Sequence, residues 1–381
     1  MMRQSRYLLL CLCLCLLTLG GCTHRVTEKD VPVSTYNLEE YTAYYWAGER
    51  TVNESVLPMR GEDGMIAPIS LMYPIEAVES VWNAELTKPY IPGRDYKVED
   101  GKLIIPEGST IPVLNYSDLY LSELLDANGF EATRSGYIFF TEGDFFHKAQ
   151  LAVTYTHTTP WEGSVPPARG QQLPLTVGKL KNSQPLTIVY YGDSITAGCN
   201  SSAVINAQPY AARWTDLVTQ KLRILYPEAS ITAWNEAVGG TDSAWGAQHA
   251  STVASRNPDL VVIAFGMNDA TQQARTAAYA ESIRQIMDTV RAANPACEFI
   301  LVSSMRSNAE AWQFQGEKLP GYLKALQEMT GEGVALADMT TLHDDLLTRK
   351  CFRDMTGNNI NHCNDFLARA YAQLILRTLE E

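Results

Sequence analysis

Four short segments of this chain carry side chains suited to acyl transfer, and they come in a fixed order. "VYYGDSITAGCN" (189–200) places Ser194 just past a run of β-formers, Leu186–Tyr191. "NEAVGGTDSAW" (235–245) presents Gly239 and Gly240, "FGMND" (265–269) presents Asn268, and "NNINHCNDF" (358–366) presents His362. A serine hydroxyl is a poor nucleophile until a base removes its proton during attack. An imidazole titrates near neutral pH and can be that base. Attack on an ester carbonyl puts negative charge on its oxygen, and one well-placed donor there lowers the barrier by about 3–4 kcal/mol. Glycine lets a backbone N–H approach closely, and asparagine offers a neutral donor. Taken singly, each segment has a plainer reading: Ser194 as a helix cap, the glycines as a turn, Asn268 as an Asx cap, His362 as a helix-start residue.

Positioning such groups requires a scaffold. From Leu186 onward, apolar runs alternate with helical patterns: "LTIVYY", then 209–226, "ASITAW", "DLVVIAFG", then 275–293, "EFILVSS", then 318–330, "GVALAD", and finally 364–379. That alternation predicts βαβ units and a mostly parallel sheet covered by helices on both faces. In such sheets ligands gather at the carboxyl ends of the strands, where Ser194, the glycine pair and Asn268 fall. The preceding half has a different texture. "LIIPEGSTIPVL", "SGYIFFTEGDFF" and "KAQLAVTYTHT" are short β-like runs broken by turns such as "PGRDY", "EDGK" and "TEGD", which predicts a β-sandwich or jelly-roll-like module over 36–180. A Pro/Gly/Gln-rich stretch, 158–174, ends it as a linker or a wrap around the junction.

The four segments resemble the blocks of the SGNH, or GDSL, hydrolase family, which carry Ser, Gly, Asn and His, matched by Ser194, Gly240 (or Gly239), Asn268 and His362. The resemblance covers the C-terminal domain, 181–381, and implies a three-layer α/β/α fold. It also implies a Ser194–His362 mechanism and an oxyanion hole made by the N–H groups of Ser194 and Gly240 and the Asn268 amide. Asp193 takes a structural role beside the nucleophile. One position departs from the pattern: the family places an aspartate three residues before the histidine, where this chain has Asn359. Three accounts stay open. A main-chain carbonyl could orient His362 in a dyad, Asp354 could fold back as the acid, or activity could be lost. Proximity of the first and last blocks also raises a Cys199–Cys363 disulfide, with Cys351–Cys363 as rival and free thiols as the alternative.

Beyond the blocks, Arg3 and Arg6 precede an apolar run that ends in Leu19-Gly20-Gly21-Cys22. This resembles a lipoprotein signal (1–22) in which Cys22 takes the lipid, followed by a polar tether (23–35), with a plain secretory signal as the alternative; the expected location is an exported protein anchored by lipid to a bacterial membrane. A net charge of −13 without a long basic run argues against a nucleic-acid partner. No CxxC pair or histidine cluster calls for a metal, and no cofactor is expected. A sandwich before an SGNH domain is similar to two-domain carbohydrate esterases, which points to an acylated, chiefly acetylated, carbohydrate substrate with Trp245, Trp161 and Arg306 as candidate substrate contacts; packing is the plainer reading of the two tryptophans and a surface ion pair that of Arg306. Another SGNH esterase, lipase or acyltransferase, or a non-catalytic glycan-binding lipoprotein, are the alternatives.

Overall fold

The structure is a computed structural model that describes residues 36–124 and 128–381. The expected signal, its Cys22 and the tether lie outside the described residues.

The N-terminal part is antiparallel. A short helix, α1 (Leu38–Thr42), leads into β1 (Arg50–Val56) and β2 (Ala77–Asn83), followed by the hairpin β3 (Lys97–Glu99) and β4 (Lys102–Ile104). Then come α2 (Tyr116–Leu119), β5 (Tyr120–Leu121), β6 (Gly129–Glu131), β7 (Tyr137–Phe139), α3 (Phe145–Ala149) and β8 (Leu151–Thr156). The strands form two three-stranded sheets, β1-β8-β2 and β5-β7-β6, beside the hairpin. The 158–174 stretch wraps the junction: Arg169 N and Gly170 N donate to Thr378 O and Glu380 O at the chain's far end.

From α4 (Pro174–Lys181) the fold is alternating α/β. Five parallel strands, β9 (Leu186–Gly192), β10 (Ile231–Asn235), β11 (Leu260–Ala264), β12 (Glu298–Val302) and β13 (Val334–Ala337), lie in the order β10-β9-β11-β12-β13. Between and after them run α5 (Ser194–Ala197), α6 (Trp214–Leu225), α7 (Ser243–Ala254), α8 (Met267–Thr271), α9 (Thr276–Ala293), α10 (Leu319–Gln327), α11 (Met339–Leu347) and α12 (Asp365–Thr378). Strand alternation makes the layers. Leu186, Ile188 and Tyr190 of β9 point into one core with α6 and α12, while Val189 and Tyr191 point into the other with α7 and α9. The strand order reverses direction at β9, so the crevice expected at a topological switch point opens beside its carboxyl end.

The first core continues without a break into the N-terminal sheet, through Val56, Val81, Val153 and Tyr155. Helix α12 lies between the two sheets and is buried on nearly every face, as a helix with protein on both sides must be. Its polar residues are partnered: Arg369 Nη1 donates to Val52 O (2.9 Å) and Gln373 Nε2 to Tyr41 O (3.1 Å). A fully buried ion pair, Lys350–Glu54 at 2.5 Å, also joins the halves, with Tyr155 Oη and Met72 N donating to the same carboxylate.

Candidate active site

Strand β9 ends in a turn too tight for side chains. A Cβ on Gly192 would come within 2.3 Å of Ala264 O and 2.4 Å of Thr196 Oγ1. Asp193 then caps α5, its Oδ1 accepting from Ile195 N at 2.9 Å. Burial pushes the Asp193 carboxyl up to about 7. Ser194 is the first residue of α5, so its own N–H has no acceptor within the helix.

His362 is presented by a loop that is hydrogen-bonded to itself. Asn358 Oδ1 accepts from the N–H groups of Ile360, Asn361 and His362, all at 3.0 Å. Thr356 Oγ1 donates to His362 O at 2.9 Å, and Gly357 N donates to the same carbonyl at 3.0 Å. The ring so held has Nε2 2.8 Å from Ser194 Oγ. Ser194 and His362 are 6% and 8% exposed, open enough to reach and dry enough to strengthen their contact.

The other ring nitrogen decides the tautomer. Nδ1 lies 2.7 Å from Asn200 Oδ1. The Asn200 amide is oriented by its Nδ2, which donates to Gly357 O (3.3 Å) and Gly143 O (3.5 Å), so the atom facing the ring is an acceptor. Nδ1 therefore carries the hydrogen, and the Nε2 lone pair faces the serine hydroxyl, as a general base requires. A Cβ on Gly357 would sit 2.4 Å from Asn200 Cβ; glycine makes the room for this amide. Glu142, in the turn after β7, also approaches Nδ1, with Oε1 at 3.3 Å and Oε2 at 3.4 Å.

The donor side of the site spans the ends of β10 and β11. Asn268 Nδ2 gives one hydrogen to Thr241 O at 2.8 Å, and the amide has a second to offer. The next residue, Asp269, ties α8 to the start of α7 by accepting from Ser243 N (3.1 Å) and Ser243 Oγ (2.5 Å); burial raises its carboxyl to about 6. Of the two glycines, Gly239 lies against the nucleophile, its Cβ position 3.8 Å from Ser194 Cβ. Gly240 supplies the turn, with φ of +77°, a conformation that favours glycine.

Several expected positions are elsewhere. Asp354 is not the acid: its Oδ1 accepts from Leu57 N (2.8 Å) and its Oδ2 from Cys351 N (3.2 Å), so it fastens the end of β1 instead of facing the imidazole. Nor does a main-chain carbonyl orient His362; the Asn200 side chain does. Asn359 has φ of +67° and sends its amide to Phe139 O at 3.0 Å, away from the ring. Arg306 is held by the Asp344 carboxylate through Nε (2.6 Å) and Nη2 (2.5 Å), so an ion pair takes the guanidinium. Trp245 stacks on His249 at 4.1 Å and packs toward Tyr191, and Trp161 packs edge-on against Tyr45 and under Arg349. Among the described residues, no disulfide links Cys199, Cys297, Cys351 and Cys363 to one another. Asn200 and Glu142 were not legible as site residues: one ends the nucleophile segment, and the other sits in a turn of the other half.

Residues 190–365 match the model of the GDSL-like lipase/acylhydrolase family. No curated protein matches the sequence. Among solved structures, a two-domain esterase active on acetylated mannans is similar at 22% identity and a TM-score of 0.44, over 55% of this chain and 53% of that one. The acetylxylan esterase Axe2 from Geobacillus stearothermophilus is similar at 16% identity and a TM-score of 0.40, over 51% of this chain and 94% of that one. An α/β hydrolase from the metagenome of Lake Arreo, Spain, is similar at 17% identity and a TM-score of 0.41, over 50% of this chain and 93% of that one.

Proposed function

From its GDSL-like lipase/acylhydrolase domain over residues 190–365, we infer that this chain is a serine esterase that removes short acyl groups, chiefly acetyl, from carbohydrate. The observation that carries the reading is the relay Asn200 Oδ1···His362 Nδ1, His362 Nε2···Ser194 Oγ, at 2.7 and 2.8 Å.

The chemistry follows from it. As Ser194 Oγ bonds to the ester carbon, its proton passes to His362 Nε2, and the carbonyl electrons move onto oxygen. The Ser194 N–H, an N–H from the Gly239-Gly240 turn and the free hydrogen of the Asn268 amide are the donors available to that oxygen. The imidazolium then protonates the leaving alcohol, here a sugar hydroxyl. A water molecule repeats the sequence on the acyl-serine, and His362 takes and returns its proton.

A sugar-bearing substrate is supported by Trp312. It is 66% exposed on the segment whose Asn308 N donates to Ile360 O, beside the His362 loop. A broad aromatic face in water, on a segment tied to the loop that carries His362, suits stacking against a pyranose ring. We also propose that the protein is exported and held to a membrane by lipid on Cys22. Fatty-acid labelling that persists in Cys22→Ala would overturn that part.

Acyl release from a panel of acetylated oligosaccharides and their butyryl and octanoyl counterparts tests the substrate reading. Acetyl sugars are expected to be cleaved fastest. Equal or faster release of the longer chains overturns the short-acyl assignment.

A further inference from the structure

We propose that Glu142, from the N-terminal antiparallel half, is the charge partner of His362, so that the catalytic centre is completed across the two halves of the chain. The proposal rests on the esterase reading above and names how its base is supported.

Attack by Ser194 leaves a positive imidazolium, and Asn200 can fix the ring but is neutral. A carboxylate near Nδ1 stabilises that cation without taking its proton. Among the described residues that hydrogen-bond or ion-pair with His362 Nδ1, Glu142 is the one that bears charge, with its oxygens at 3.3 and 3.4 Å. Burial raises its carboxyl, but the imidazole and the amides of Asn358 and Asn200 outweigh that and hold it below the usual carboxylate range.

The placement is built. Glu142 Oε1 accepts from Asn358 Nδ2 at 3.1 Å, and Asn358 is the residue that folds the His362 loop. Asn359 donates to Phe139 O, the last residue of β7, three positions before Glu142. The position where the SGNH pattern has its aspartate is thus used to draw in the strand that delivers a carboxylate. Ile360 from the His362 loop packs with Ile138 of β7 and Phe314, an apolar contact behind the polar one. Glu142 is a positioning residue in this scheme: its side chain is 50% exposed and acts through the ring.

Glu142→Gln keeps an acceptor for Asn358 and removes the charge. Hydrolysis of an aryl acetate by the full-length protein is the readout, with Ser194→Ala as the blank. Turnover is expected to fall about ten- to hundredfold, less than the loss of a buried triad carboxylate and more than that of an exposed ion pair, with KM unchanged. Because the group is half exposed, wild-type turnover should decline with added salt toward the variant's, while the variant stays flat. Turnover of Glu142→Gln within twofold of wild type at low salt overturns the proposal. A wild type no better than Ser194→Ala overturns the esterase reading instead; the NMR resonance of the His362 Nδ1 proton then decides, because it must move in Glu142→Gln if the carboxylate faces it, and an unmoved resonance overturns the proposal.

Discussion

His362 Nδ1 meets Asn200 Oδ1 at 2.7 Å, a contact between residues 162 positions apart that sets which ring nitrogen holds the proton. Asn200→Ala removes the acceptor and frees the ring to flip or to take the wrong tautomer. Turnover on an aryl acetate is expected to fall about a hundredfold with little change in KM, the pattern of a lost orienting group. Steady-state kinetics check it, and a rise in KM at constant turnover would contradict it.

Asp354 and Asn359 make an opposed pair of tests. Asp354→Ala leaves the buried Leu57 N–H without its acceptor, which costs about 1–3 kcal/mol of stability. The protein that remains folded should keep its turnover. Asn359→Asp would turn a carboxylate oxygen toward Phe139 O in place of a donor. It is expected to lower turnover by loosening the His362 loop, and a gain in turnover would show that the residue faces the ring after all. Urea titration and kinetics on the same samples separate the two effects.

Much of this was readable from the chain alone, and the limits have physical causes. Strands β9, β11, β12 and β13 are buried on nearly every residue, so they stand out as near-continuous apolar runs, while the edge strand β10 is half-buried at Thr232, Trp234 and Asn235. Helix α7 was not anticipated: "SAWGAQHASTVA" is rich in small residues and lacks a marked apolar stripe. Ser194, Asn268 and His362 were legible because a strand end or a helix start marks each. Asn200 was not, since its role depends on the room left at Gly357, far along the chain. Glu142 was hidden for a related reason: "TEGD" reads as a turn, and its histidine lies 220 residues away in the other half. Asp354 misled because a carboxylate near a histidine in sequence can be turned away from it in space.

Asp193 gives a pH dependence with a definite sign. Its folded value, about 7, lies above the ordinary 3.8, so the folded protein binds the extra proton between roughly pH 4 and 7. The stability associated with that proton is fully present below pH 4 and is lost as pH rises through 7, at up to about 1.4 kcal/mol per pH unit. In Asp193→Asn the amide oxygen can still accept from Ile195 N, but the side chain does not titrate. The stability difference between wild type and Asp193→Asn, measured by urea unfolding, should therefore shift in the variant's favour from pH 4 to 7. A difference that stays constant with pH would contradict this account of Asp193.

Trp312 separates substrate binding from chemistry. Trp312→Ala should raise KM for an acetylated oligosaccharide about five- to tenfold, the range of one aromatic contact of about 1 kcal/mol or slightly more, and leave KM for an aryl acetate unchanged. Equal effects on both substrates would remove the stacking role.

The central claim is that His362 activates Ser194. A fluorophosphonate, which phosphonylates serines activated by a neighbouring base, tests it without any assumption about the natural substrate. Peptide mapping after labelling of the full-length protein should find the adduct on Ser194, with labelling slowed by orders of magnitude in His362→Ala. An adduct on another residue, or an undiminished rate in His362→Ala, would contradict the account.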